Sequence, residues 1–365
     1  MKHWPVIIAV FFGIAFGAEI STFAGNGKAG YAGDGGKAAE ATLNQPFGVV
    51  VGPAGNVFFC DTNNHVIRRV DRESGTITTV VGNGEKGYSG DGGKALEVTL
   101  NEPYEVRFHK SGDMYWVERL NHVVRKMDGK TGIVSTVAGT GKPGFSGDGG
   151  PGEKAMMNEP HSIQFDAAGG LLYICDIRNH RIRVLEMVSG EIDTFCGNGK
   201  PGATKDGAKA GKDTPLNGPR ALDISPDGDL WLATREGNQV FRIDMKTYRI
   251  HHLAGTGAKG FSGNGGAAKE ATLSGPKGVA ISPDGRWVYL ADTESHTVRA
   301  IDLSQKPPSL ELIAGDGKKG DGPDSPDPLK CRMARLHGIG IDPENGDLYI
   351  GDSETHKVRV IRFNQ

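Results

Sequence analysis

Three side-chain types that carry acid–base and metal chemistry recur in this chain at constant spacing. Acids stand at Asp61, Glu118, Asp176, Asp292 and Asp352. A histidine follows four residues later, at His65, His122, His180, His296 and His356. An arginine comes three residues after that, at Arg68, Arg125, Arg183, Arg299 and Arg359. Any one trio could bind a metal or move a proton. Its repetition argues otherwise: a residue present in every copy of a unit is explained by how the unit is built, whereas a site on a common axis must come from copies that differ. One further copy has Thr234 and Gln239 in place of the acid and histidine, with Arg242 at the arginine position. That joint loss predicts that acid and histidine partner each other across a hairpin, with the arginine on the opposite side of its strand. The trios read as framework.

The unit that carries them starts at Pro46, Pro103, Pro160, Pro219, Pro276 and Leu336, a repeat of 57–60 residues. Each copy holds short runs rich in β-branched and aromatic residues, such as NVFFCD, HVIRRVD and ITTVVG, bounded by Gly, Pro, Asn and Asp. Such runs read as strands joined by tight turns. Four strands per copy, six copies and no helical periodicity predict an all-β fold: a six-bladed β-propeller of four-stranded antiparallel blades. The last copy has only three strands. The segment EISTFAGNG, from Glu19, matches ITTVVGNG, from Ile77, so the N-terminal strand is expected to complete the last blade and remove the free edges.

Within this plan the informative positions are those at which the copies disagree. The residue after each start position opens the innermost strand at the channel mouth: Phe47, Tyr104, His161, Arg220, Lys277 and His337. Copies two to four add Glu105, Ser162, Glu118, Arg119 and Arg235 to the same face. The mouth gains polar and basic groups where the repeat loses its regularity, and functional sites are where such consistency breaks.

Composition narrows the classes. Of 365 residues, 42 are Lys or Arg and 44 are Asp or Glu, a net charge of −2, which does not suit a nucleic-acid binder held by phosphate contacts. Glycine is abundant, 56 residues, but without the G-X-Y period of collagen. Residues 1–17 have Lys2 and His3, an apolar run from Val6 to Phe16, and small residues at Ala15 and Gly17. This is the pattern of a secretory leader cleaved after Gly17, too short for the roughly 20 residues of a membrane span. The expectation is an exported chain, periplasmic or extracellular, with residues 18–365 forming one propeller and no membrane span. Cys60, Cys175, Cys196 and Cys331 are expected to be free, mostly buried thiols, because strands two places apart lie beyond disulfide reach.

The phrases at Pro46–Val49, Asp61–Thr62 and Asn64–Arg68 resemble the NHL-repeat family. The G-D-G-G loops at Gly33–Gly36, Gly90–Gly93 and Gly147–Gly150 are similar to those of its bacterial members. These loops read as tight turns rather than phosphate or calcium cradles, since no helix follows and each offers one carboxylate. The resemblance runs through the whole chain after residue 18 and implies a propeller. NHL propellers serve as protein- or RNA-binding platforms, and relatives include a zinc-dependent amidating lyase and calcium-dependent sugar lactonases. Pro160-His161-Ser162-Ile163 is similar to the place where the lyase holds zinc, and His337 occupies the same place three blades away. The other four equivalents are Phe, Tyr, Arg and Lys, so no third ligand is present. The lactonase site is acidic, whereas here Glu105 and Glu118 lie beside cations.

The expectation is therefore a binding platform for a protein, a glycan or an acidic small molecule, with no nucleic acid and no resident cofactor. The ligand-binding set is Phe47, Tyr104, Glu105, Glu118, Arg119, His161, Ser162, Arg220, Arg235, Lys277 and His337. The alternative is a lyase or hydrolase at the same mouth, using Glu105 with His161 as acid and base, or zinc or calcium near His161 and His337.

Overall fold

The computed structural model describes residues 17–363, so the expected leader, up to Phe16, lies outside the described residues. Six antiparallel sheets follow one another around a ring, each with strand order running from the hub outward. The inner strands are Pro46–Val51, Pro103–Phe108, Pro160–Phe165, Pro219–Ile224, Pro276–Ile281 and Leu336–Ile341. Five sheets take their four long strands from one copy. The sixth comprises Leu336–Ile341, Leu348–Asp352, Lys357–Phe363 and, at its outer edge, Ala18–Ala24. Ile20 pairs with Ile361 and Thr22 with Arg359, so the ring closes as the sequence predicts. In two blades a two-residue ribbon from the preceding loop, Gly150–Pro151 or Gly266–Ala267, adds a fifth edge. Apolar side chains of facing sheets pack between neighbouring blades, as where Phe59 and Val49 meet Tyr349 and Val360. All four cysteines are free and buried. Among the described residues, no helix is long and apolar enough to cross a membrane.

The repeated trio is framework, but its pairing differs from the sequence expectation. After four of the five second-strand acids the chain enters a one-turn 3-10 helix, such as Thr62–Asn64, and after Glu118 a plain turn; in all five the histidine closes it in the left-handed region, His65 at φ 56°. That turn interrupts strand alternation and swings the imidazole away from the acid. In four of the five copies the histidine clips the next blade instead: Nδ1 of His122 accepts the backbone N–H of Glu159 at 3.0 Å, and His296 accepts that of Arg335 at 3.0 Å, whereas Nδ1 of His180 has no partner among the described residues. The acid faces the arginine. Asp61 accepts from the backbone N–H of Asn44 (2.7 Å) and the side chain of Asn64 (2.8 Å), with Arg68 3.5 Å away, and Asp61 and Arg68 are both fully buried. The G-D-G-G aspartate completes the unit: Asp34 lies 2.6 Å from Arg68, Asp91 2.7 Å from Arg125 and Asp148 2.7 Å from Arg183.

Blade four corrects two further assignments. Its clip is Asn238, not Gln239: Asn238 sits at φ 48° and its Oδ1 accepts the backbone N–H of Gly275 at 2.8 Å. Thr234 pairs with Gln239, and Phe241 lies opposite Leu232, so the arginine position is Phe241, which is buried. Arg242 points to the other side and stands 3.6 Å from Asp229. Acid and arginine have thus vanished together, as they must, because either alone would be an uncompensated buried charge. Removing Arg68 alone (Arg68→Met) is expected to cost about 3–5 kcal/mol in urea unfolding. The double change Asp61→Thr with Arg68→Phe, which copies blade four, should cost clearly less than the two single changes added. Simple additivity would contradict the pairing.

Candidate functional site

The inner strands converge so closely that three blades meet backbone to backbone. A β-carbon on Gly48 would lie 2.7 Å from the carbonyl oxygen of Tyr104, and one on Gly338 2.5 Å from that of Phe47, distances no side chain tolerates. In each blade the pairing of the inner strand slips just after its first residue. Such a bulge re-aims a side chain, and here it turns the second residue of each inner strand onto the hub axis. The residue before the strand is left-handed in every blade: Gln45, Glu102, Glu159, Gly218, Gly275 and Arg335.

Above this constriction lies a cavity of about 420 Å³. Its floor is the ring of six second residues. Phe47 stacks on His337 (centroids 3.9 Å apart, planes at 11°) and meets Tyr104 edge-on at 4.7 Å, and Tyr104 meets His161 edge-on at 4.5 Å. Across the floor an Nη2–H of Arg220 donates to the Tyr104 hydroxyl, and the guanidinium lies 4.8 Å from that ring's centre. Lys277 Nζ is 3.1 Å from His337 Nε2. The rim is a belt of ion pairs. Arg119 bridges Glu102 and, at 3.0 Å, Glu159; Arg235 holds Glu236 at 2.6 Å; Arg335 holds Glu294 at 2.9 Å and Glu354 at 3.3 Å.

Of the sequence candidates, Phe47, Tyr104, Arg119, His161, Arg220, Arg235, Lys277 and His337 line this cavity. Glu105, Ser162 and Glu118 do not. Glu105 and Ser162 are third residues of their inner strands and plug the hub below the floor, where Ser162 Oγ donates to Glu105 at 2.9 Å and Arg107 stands 3.0 Å from Glu105. Glu118 belongs to the framework row, bound to Trp116, Asn121 and Arg125. Glu105 and His161 therefore sit at different depths. The rim partners Glu102, Glu159, Arg178, Glu236, Glu294, Arg335 and Glu354 escaped the sequence comparison. They stand one residue from the compared positions, and extending the same internal comparison by one place on each side finds them.

Charge is distributed unevenly between rim and floor. The rim arginines Arg119, Arg235 and Arg335 all have carboxylates, but among the described residues no carboxylate lies within ion-pair distance of Arg220. Arg220 is 93 % buried and its Nε has no hydrogen-bond partner. Burial works against its charge, and nearby Arg235 adds to the effect. Burial and the Arg220 and Arg335 guanidiniums bring Lys277 down to about 6. Burial also holds His161 and His337 well below the ordinary imidazole range, with Arg220 and Lys277 respectively the next cause. Each imidazole places Nδ1 against a backbone carbonyl, Glu159 at 2.6 Å and Arg335 at 2.9 Å. That assigns the proton to Nδ1 and leaves Nε2 as an acceptor.

The two histidines do not fit zinc. A metal between them would meet Arg220 and Lys277, His337 Nε2 is already engaged by Lys277, and the described residues supply no third ligand. Calcium fits no better, since the floor carries no carboxylate.

The fold and hub define a six-bladed propeller of NHL type with a basic axial pocket. The family model of the SMP-30/Gluconolactonase/LRE-like region matches residues 105–331, more than half of the chain, and that of the Teneurin NHL domain matches residues 24–89. The chain belongs to the SMP-30/gluconolactonase/LRE-like family and is an NHL-repeat propeller. Similar proteins include the chloroplastic Protein SUPPRESSOR OF QUENCHING 1 of Arabidopsis thaliana, 28 % identical over 73 % of this chain and 26 % of that protein. NHL repeat-containing protein 2 of Gallus gallus is 28 % identical over 74 % of this chain and 40 % of that protein. The chain thus spans less than half the length of these relatives. Among solved structures, an auxiliary nutrient binding protein from Bacteroides ovatus ATCC 8483 superposes with a TM-score of 0.68 at 15 % identity, covering 96 % of this chain and 78 % of that one. A streptogramin B lyase superposes with a TM-score of 0.55 at 13 % identity, covering 95 % and 98 %. At such identities the likeness shows the fold alone.

If Arg220 is an uncompensated buried cation, deleting its charge relieves the apo protein. Arg220→Met is expected to raise Tm by roughly 2 °C in a calorimetric scan without ligand. A fall of similar size would mean that the guanidinium is held by partners within the chain.

Proposed function

We infer that this protein is a binding platform and that its hub cavity takes an acidic small molecule, a carboxylate or phosphate. The carrying observation is Arg220: a buried guanidinium that faces a cavity, has among the described residues a phenol but no carboxylate for a partner, and stands next in the ring to a buried lysine, Lys277. Buried charges are normally paired, and an anion entering the cavity supplies the missing pair. Guanidinium and carboxylate or phosphate match in geometry and form the stronger, charge-assisted class of hydrogen bond. Phe47 and Tyr104 offer an apolar surface to the rest of the ligand. The rim supports a small ligand over a protein or glycan, because its arginines are already engaged by glutamates and the unpaired charge lies only at depth. The nutrient-binding description of the Bacteroides ovatus neighbour is consistent with this reading. The leader pattern in residues 1–17 supports an exported protein, periplasmic or extracellular, that meets such a ligand outside the cytoplasm.

The test is a thermal-shift and calorimetric comparison of phosphate, citrate, pyruvate and neutral sugars at pH 7. Acidic compounds are expected to raise Tm, and Arg220→Ala to weaken their binding by at least about tenfold. Neutral sugars binding as well as acids, or an Arg220→Ala protein that binds acids unchanged, would overturn the assignment.

A further inference from the structure

Lys277 does not behave as a spare cation. Its side chain is 3 % exposed, and its one carboxylate neighbour among the described residues, Glu294 at 3.5 Å, is shared with Arg335 at 2.9 Å and Arg235 at 3.9 Å. The charged and titratable groups around it in the cavity are Arg220, Arg235, Arg335, Glu236, Glu294, Glu354, His161 and His337; Arg235 and Arg335 are held by the three glutamates, and Arg220 alone has no carboxylate among the described residues. His337 is held with its Nδ1–H on the Arg335 carbonyl and beside Ser353 Oγ (2.8 Å), and it presents a bare Nε2 to Nζ at 3.1 Å. An amine that donates one N–H to an imidazole lone pair, in a cavity crowded with guanidiniums, is arranged as a neutral nucleophile. Lysines desolvated or placed beside other cations acquire this reactivity. The next floor residue in the ring, Arg220, holds an anion under the reading above.

We propose that Lys277 is a reactive amine that condenses with the carbonyl carbon of a 2-oxo acid whose carboxylate is held by Arg220. This inference rests on the acid-binding reading of the cavity and adds to it the substrate class and a covalent step. The Nζ lone pair attacks C2, and the carbonyl π electrons move to oxygen. Nitrogen gives up a proton, with His337 Nε2 placed to accept it, and the oxygen is protonated to give a carbinolamine. The C–O bond then breaks and one water leaves as the C=N bond forms. Amine plus ketone becomes imine plus water, with no change of oxidation state. His161 Nε2, a second acceptor on the same floor, is available to orient the departing hydroxyl.

The experiment uses the purified chain, pyruvate as probe, and cyanoborohydride to reduce any imine to a stable secondary amine at pH 7. Intact mass and peptide mapping are expected to show one reduced pyruvyl group, on Lys277. Exposed lysines, mostly protonated at this pH, should stay unlabelled. Labelling should vanish in Lys277→Arg and fall at least about tenfold in Arg220→Ala. Hydroxyacetone, a ketone without the carboxylate, should label at least about tenfold less. Because the site of labelling is mapped on the wild-type chain, the result does not depend on a variant that folds. No adduct, or adducts scattered over surface lysines, would overturn the proposal. If pyruvate raises Tm without being trapped, the acid-binding reading stands and the nucleophile does not. If it does neither while phosphate or citrate raises Tm, the 2-oxo-acid proposal alone fails; if none of the acids raises Tm, both fail.

Discussion

Everything distinctive about this protein follows from the convergence of six inner strands on one axis. Three blades meet through Gly48, Gly278 and Gly338, where an added β-carbon would lie within 2.8 Å of a neighbouring backbone oxygen. Blades two to four fill the same level with Glu105, Ser162 and Ala221. That level is packed shut, and the level above it, formed by the bulged second residues, is left as a floor. A propeller hub is a place where six copies of one position are forced into mutual contact. Identical large residues cannot all fit there, and unequal ones make a site. Here the six are two aromatics, two imidazoles, a lysine amine and a guanidinium.

The framework leaves these six positions free by doing its own work elsewhere. Buried acid–arginine pairs tie loop to blade everywhere but in blade four, and clips from His65, His122, His296 and His356, with Asn238 in blade four, tie blades to their neighbours. Hydroxyls add a second clip in three blades: Thr62 donates to the Pro103 carbonyl at 2.9 Å, Thr293 to that of Leu336 at 2.6 Å and Ser353 to that of Pro46 at 2.8 Å. Blades two and four carry Arg119 and Arg235 at this position and give up that clip for a charged rim. The exchange is local, because the histidine and asparagine clips of the same blades persist. Departures from the repeat thus concentrate where the cavity opens.

Much of this was legible in the sequence, and what was not has physical reasons. The blade number, the closing strand and the residues of the floor follow from repeat spacing, since one position per copy must face the axis. The acid–histidine pairing did not follow, because a 3-10 turn ending in a left-handed histidine breaks the two-residue alternation on which it relied. Arg242 was matched by residue type where only strand register distinguishes it from Phe241. Glu105 and Ser162 were assigned to the mouth because a bulge, which strand periodicity does not reveal, separates adjacent residues into different levels. The lone state of Arg220 is a fact of three dimensions: all three arginines line one cavity, but among the described residues only Arg119 and Arg235 have a carboxylate within ion-pair distance.

The central claim is that the hub carries an unpaired positive charge that awaits an anion. Crystals grown with bromide or selenate as an anomalously scattering anion test it most directly. The account requires the strongest anomalous peak to lie in the cavity against Arg220 and Lys277, and to vanish in Arg220→Met crystals. Peaks confined to the outer surface, with an empty hub, would contradict it.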